Sequence, residues 1–250
     1  MALVTGAGRR LGRSTAEALA RGGWDLALHH HQSEAEALAL CEALERLGTR
    51  ARAFPADLSD EAQTVALVPA VVGVFGRLDA VVNNASRFTY DTVEDFTYGS
   101  LEAHARVNTA APVALARGLA RHLSERGAEG CVVQLLDQKL WNPNPDYFSY
   151  TLSKAALGAT VVLLAQALAP RVRCVGVAPG VTLPSGPMDA EGFERARRLT
   201  PLGRSSTPED VARAVLFALE STAITGTTLV VDGGQHLTGQ GRDVLFLQGT

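Results

Sequence analysis

Tyr150 and Lys154 stand four residues apart, on one face of a helix start. A free phenol, with a pKa of about 10, is a poor acid–base group at neutral pH, and a neighbouring ammonium favours the phenolate. Bringing the phenol to about 7 takes roughly 4 kcal/mol at 1.36 kcal/mol per unit. The alternative is an ordinary surface pair at helical spacing. Against it, Lys139 and Lys154 are the only lysines among 23 basic residues, and a retained lysine marks a position where arginine will not serve. A second chemical signal lies at the start of the chain, in Thr5-Gly6-Ala7-Gly8-Arg9-Arg10-Leu11-Gly12. A glycine-rich turn between a strand and a helix lets a pyrophosphate approach the free amides of the helix N-terminus. A plain glycine turn is the bland reading, and the strand–turn–helix context favours a dinucleotide.

These groups need a scaffold, and the pattern around them supplies one. Short apolar runs alternate with helical stretches. Strands are expected at Ala2–Val4, Asp25–His29, Arg50–Phe54, Leu78–Val82, Gly130–Leu136, Val172–Val177 and Thr228–Val231. Between them the periodicity predicts helices, including long ones over Ser100–Arg126 and Ser149–Leu168. Ser33 and Glu36 read as a capping box, and Thr207-Pro208 as a helix start. The expected fold is α/β: a single-domain, Rossmann-like, doubly wound parallel sheet of about seven strands, with helices on both faces. One domain over 1–250 is expected, with a substrate lid at 183–206 and a tail at 236–250. The tail's apolar run Asp243–Leu247 needs a surface to bury it.

Composition excludes other classes. A net charge of -3 gives no basic footprint for nucleic acid or a membrane surface. Three scattered cysteines, Cys41, Cys131 and Cys174, form no disulfide or zinc pattern and suit a reducing compartment. No targeting segment and no bilayer-length apolar run is read; the longest candidate, near Ala155–Leu168, is interrupted by Gln166. A cytoplasmic protein is expected. The second strand closes on His29-His30-His31-Gln32-Ser33, with no carboxylate to hold a ribose 2′-hydroxyl. Arg9, His31 and Ser33 would instead welcome a 2′-phosphate, so NADPH is the expected cofactor. Three adjacent histidines alternate faces and do not converge on one ion, so no metal is expected.

Taken together, the motifs resemble those of the classical short-chain dehydrogenase/reductase family, over nearly the whole chain to Asp232-Gly233-Gly234. Gly6 and Gly12 match the family's outer glycines, and Arg10 replaces the middle one, as in the variant turn of pteridine and dihydromonapterin reductases. In that branch, the resemblance implies, the arginine at the place of Arg10 lies near the phosphates and the pterin. Tyr150 and Lys154 match the catalytic pair, the lysine also holding the nicotinamide ribose. Thirteen residues before the tyrosine the family has serine; here stands Asp137, as in the pteridine reductase branch. A carboxyl there suits a ring offering N–H groups and accepting a proton on nitrogen. Asn108 resembles the family asparagine of the proton relay, or else is a helix-packing residue. Asn84, Ala85 and Ser86 resemble the motif lining the cofactor, and Phe88 the aromatic that stacks on the pterin, though a plain core or surface Phe fits equally. Asp57 and Leu58 resemble the adenine-contacting pair, and Pro179-Gly180-Val181-Thr182 the carboxamide loop.

The resemblance implies NADPH-dependent hydride transfer to a pterin-type C=N bond, with Tyr150 as proton donor and Arg10, Ser86, Phe88 and Asp137 at the substrate. A small-molecule substrate and a homotetramer are the expected partners. A ketone or aldehyde reductase is the alternative enzyme, and a non-catalytic NADPH sensor the alternative of another class.

Overall fold

The computed structural model describes residues 1–185 and 189–246. Residues 186–188 of the expected lid, and Leu247 with 248–250 of the tail, lie outside the described residues.

β1 (Ala2–Val4) runs through the glycine turn into α1 (Arg10–Arg21). β2 (Leu26–His30), α2 (Glu34–Glu45), β3 (Ala51–Pro55), α3 (Glu61–Phe75) and β4 (Ala80–Asn83) follow. Next come α4 (Tyr98–Ala105), α5 (Ala111–Arg126), β5 (Gly130–Leu135), α6 (Phe148–Leu168) and β6 (Val172–Pro179). The chain ends through α7 (Ala190–Arg198), α8 (Pro208–Glu220) and β7 (Thr227–Val231). The strands form one sheet in the order β3-β2-β1-β4-β5-β6-β7, every pairing parallel. The order reverses between β1 and β4, so a crevice opens beyond their carboxyl ends, where open α/β sheets bind ligands. This is the doubly wound architecture expected.

The reason is a core on both faces. Val4, Leu28, Val82, Val133 and Val177 point to one side with Leu19, Leu40 and Val215. Leu3, Ala27, Val81 and Val132 point to the other with Leu67, Leu115, Leu157 and Val161. Central strands buried on both faces read as continuous apolar runs.

Four local expectations change. The helix expected over Ser100–Arg126 is interrupted by a π-helical turn at Arg106–Ala110, which carries Asn108; such widened turns concentrate at functional sites. Ser33 caps α2 with no side-chain hydrogen bond, and the Glu36 carboxylate accepts from Arg9 Nε at 2.8 Å rather than closing the box. By contrast Thr207 and Asp210 form a complete capping box at α8. α6, 21 residues long with a mean hydropathy of 1.5 over its best 18-residue window, is by length and composition apolar enough to cross a bilayer, contrary to the sequence reading. The helix begins at Phe148, about two turns before Ala155, and packs Leu157, Val161 and Ala165 into the core. Finally, the tail finds its surface on its own chain: Leu245 is buried against Tyr147 and Tyr150, with Phe246 beside them.

Candidate active site

The glycine turn is held from three sides. Gly6 adopts φ +61°, and its N–H donates to Nδ1 of His29 at 3.1 Å. Nε2 of His29 donates in turn to the Ala56 carbonyl at 3.0 Å. With both ring nitrogens committed, burial pushes the His29 pKa down to about 4, so this residue is a neutral strut. Asn84 Nδ2 donates to the carbonyls of Thr5 (2.8 Å) and Gly6 (3.1 Å). A Cβ on Gly12 would sit 2.1 Å from the Gly6 carbonyl oxygen, so only glycine lets α1 start there.

Arg10 also takes a left-handed conformation, φ +53°, which a side chain seldom adopts. Its guanidinium donates to the Pro184 carbonyl and to Ser185 Oγ, both at 2.9 Å, so it grips the segment after β6. No side chain caps the start of α1, which leaves its first amides free for an anion. The turn therefore fits a dinucleotide pyrophosphate.

The proton-handling groups meet at the ends of β5 and α6. Tyr150 Oη donates to Asp137 Oδ2 at 2.8 Å, and the Lys139 backbone N–H donates to Asp137 Oδ1 at 2.9 Å. Lys154 Nζ donates to the Leu135 carbonyl at 2.6 Å and lies 5.8 Å from the Tyr150 ring centre. The electrostatics reverse one expectation. Burial, reinforced by the Asp137 charge, pushes the phenol well above its ordinary value rather than down towards neutrality. The carboxylate touches the phenol oxygen, and the Lys154 ammonium does not. Burial likewise raises the Asp137 carboxyl and lowers Lys154 to about 8. The arrangement is a neutral phenol donating to a carboxyl that itself holds a proton more readily than usual.

Asn108 is wholly buried, and its side-chain hydrogen bonds are all spent. Nδ2 donates to Ser153 Oγ and the Arg87 carbonyl, both at 2.9 Å; Oδ1 accepts from the Arg87 N–H at 2.7 Å and Ser86 Oγ at 3.2 Å. Expected among the catalytic groups, it has its side chain committed to the loop that carries Ser86 and Phe88. The Phe88 ring stacks on Tyr147 at 4.2 Å and meets Tyr150 edge-on at 4.7 Å.

One cleft is lined by Gly6, Arg9, Arg10, Leu11, Gly12, His31, Ser33, Asn84, Ala85, Ser86 and Phe88. Asp137, Tyr150, Lys154 and Pro179–Thr182 line its other end. Three expected residues do not reach it: Asn108, and the pair Asp57 and Leu58. Leu58 packs into the core, while the Asp57 carboxylate accepts from Ser59 and stands 3.9 Å from His31. The sequence reading missed His29, Lys139 and Asp243. Lys139 and Asp243 line the substrate end. The scarcity of lysine was a signal for Lys139; Asp243 gave none.

A family model described as enoyl-(acyl carrier protein) reductase matches residues 6–236. Pteridine reductase 1 of Leishmania tarentolae is 35% identical over 280 residues, covering 95% of this chain and 96% of that protein. A putative ketoacyl reductase of granaticin polyketide synthesis from Streptomyces violaceoruber is 33% identical, covering 95% and 96%. Among solved structures, the FolM alternative dihydrofolate reductase 1 of Brucella canis, complexed with NADP, superposes with a TM-score of 0.91. It shares 38% identity and covers 97% of this chain and 96% of that one. With the doubly wound sheet and the Tyr150–Lys154 pair, these matches make the chain an oxidoreductase of the short-chain dehydrogenase/reductase family.

Proposed function

We propose that the chain reduces a dihydropterin-type substrate with NADPH. The observation that carries this reading is the 2.8 Å hydrogen bond from Tyr150 to Asp137 in a buried setting. In the reduction of a ketone, negative charge develops on oxygen, and a carboxylate at that place opposes it. In the reduction of a ring C=N bond a proton must reach nitrogen. A carboxyl of raised pKa beside a neutral phenol can accept N–H donors from the ring and pass a proton on. The bound dinucleotide would supply the hydride. Lys154, its Nζ 5.8 Å from the Tyr150 ring centre, would hold the nicotinamide ribose. Phe88, half-exposed on its stack, offers an aromatic face at the cleft. Similarity to a pteridine reductase and to a FolM dihydrofolate reductase supports the same substrate class.

The preference for NADPH rests on Arg9, His31 and Ser33 at the mouth of the cleft, and on the NADP complex of the Brucella relative. The segment that follows β6, held by Arg10 at Pro184 and Ser185, would serve as the start of a substrate lid. The assembly is a homotetramer: Leu152, Val162 and Leu163 of α6 leave an apolar outer face for a second copy.

A substrate panel tests the proposal. Purified protein is offered dihydrobiopterin, dihydrofolate, aldehydes and ketones, with NADPH and NADH in parallel. Efficient reduction of a dihydropterin with NADPH is expected. Ketone reduction without dihydropterin reduction would leave a carbonyl reductase, the activity for which the granaticin relative is named.

A further inference from the structure

Lys139 has no part in the proton chemistry above, yet it is one of two lysines in the chain and is 2% exposed. It lies two residues after Asp137, in a short 3-10 turn over Gln138–Leu140. Its backbone N–H holds Asp137 Oδ1. Its Nζ donates to the Asp146 carbonyl at 2.5 Å and to Asp243 Oδ2 at 3.2 Å. Lys139 therefore joins the carboxyl that faces the phenol to a carboxylate 104 positions beyond Lys139 itself.

Asp243 belongs to a segment strapped over the substrate end of the cleft. The Asp146 carboxylate pins it, accepting from Arg242 Nε and Nη2 and from the Asp243 N–H, each at 2.8 Å. Phe246 packs against Tyr90 at 5.2 Å and Tyr147 at 6.3 Å. The strap thus has three independent anchors, and Asp243, Val244 and Leu245 form part of the cleft wall.

We propose that Lys139 and Asp243 are positioning residues through which the C-terminal strap fixes Asp137 against Tyr150. The proposal rests on the dihydropterin reading of the site. Holding Nζ between two partners fixes the short turn, and the turn fixes the Asp137 carboxyl plane. Removing the Asp243 charge leaves the buried Lys139 ammonium on a carbonyl alone, and removing Lys139 leaves the partly exposed Asp243 without its cation; either change loosens the strap and the turn together. The charged and titratable groups facing Asp137 are Tyr150 and Lys154 from α6, Lys139 from its own turn and Asp243 from the strap.

The test uses full-length Lys139→Met, Lys139→Arg and Asp243→Asn. Kinetics are measured across pH with dihydrobiopterin and NADPH, and NADPH affinity by fluorescence reports an intact fold. Asp243→Asn and Lys139→Met are expected to lower kcat roughly tenfold to a hundredfold, as a misplaced catalytic group does. KM and NADPH affinity should change little. Asp243→Asn also removes a negative charge that faces Asp137, so the alkaline limb of the pH profile moves to lower pH. Lys139→Arg, which keeps the charge, should recover part of the loss. Wild-type kcat and pH profile in the Met and Asn variants would overturn the proposal. A raised KM with unchanged kcat would make Asp243 a substrate contact and overturn it too. A wild type inactive on dihydropterins would sink the substrate reading instead. The same variants, assayed on whichever carbonyl the wild type reduces, then still decide the role of the strap, because Tyr150 donates the proton in either case.

Discussion

Asp137→Ser should divide the enzyme's two conceivable chemistries. Serine can still cap the short turn by accepting from the Lys139 N–H, so the local backbone is kept. The carboxyl carbon and one oxygen are lost, and with them the acceptor 2.8 Å from Tyr150 Oη. A hydrogen bond to a protonated carboxyl contributes about 0.5–1.5 kcal/mol, which alone is a roughly twofold to tenfold loss. Loss of a general acid adds to this, with a usual range of about 10²–10⁴-fold. Dihydropterin reduction should therefore fall by roughly 10²-fold or more, while ketone reduction is unchanged or faster because the opposing charge is gone. Thermal stability should hold, since an uncomfortably buried carboxyl is removed. The pH profile gives a second readout. Burial raises the Asp137 pKa, so the protonated acid survives to higher pH than a free carboxyl would allow, and the dihydropterin rate falls as pH rises through that value. The variant loses this limb and keeps the one set by Lys154 near pH 8. Initial rates of NADPH oxidation with dihydrobiopterin and with a ketone, across pH, measure both. Equal losses on the two substrates, or no loss on dihydrobiopterin, would refute the reasoning.

Tyr150→Phe should abolish turnover and leave NADPH binding nearly unchanged; Lys154→Arg should fail as well, and substantial activity in either would mean the acid lies elsewhere. Fluorescence titration should show tighter NADPH than NADH, with Arg9→Ala weakening NADPH selectively; equal affinities would remove the 2′-phosphate argument. His29 is neutral when folded, with its pKa at about 4 against 6.5 unfolded. The unfolded chain therefore takes the proton first, and stability should fall by roughly 3 kcal/mol as pH drops through this window. Urea midpoints between pH 7 and pH 4 measure the fall, and His29→Asn should flatten it. Light scattering should give a tetramer at micromolar concentration, where a monomer would contradict the proposed assembly.

What the sequence disclosed was local or periodic. Tyr150 and Lys154 meet because a helix turns every 3.6 residues, and the central strands show themselves as apolar runs. Asp137 was found by its spacing from Tyr150. Where local signals competed with distant partners, the distant partner prevailed. The Glu36 carboxylate, read as half of a capping box, pairs with Arg9, 27 positions earlier. The phenol pKa, expected to be lowered by the lysine, is raised by burial and by a nearer carboxylate. The π-helical turn at Asn108 leaves no mark in the hydrophobic period, because the extra residue is accommodated by side-chain bonds to Ser153, Ser86 and Arg87.

The two lysines show why composition could point to places without explaining them. Both are buried, and each sets a compact ammonium against a backbone carbonyl, Lys154 on Leu135 and Lys139 on Asp146. A guanidinium is planar and spreads five donors over a wider fork, so it cannot sit in either shell without leaving donors unpaired. Arginine is exposed at most of its positions in this chain, as at Arg9, Arg106 and Arg242, and the partly buried Arg173 spreads its fork over three carbonyls, those of Ala218, Leu219 and Ile224. The choice of lysine therefore marks enclosure rather than reactivity. Lys154 is enclosed because it sits under the phenol, and Lys139 because the strap closes over it, so the same composition signal flags one residue at the chemistry and one that holds it in place.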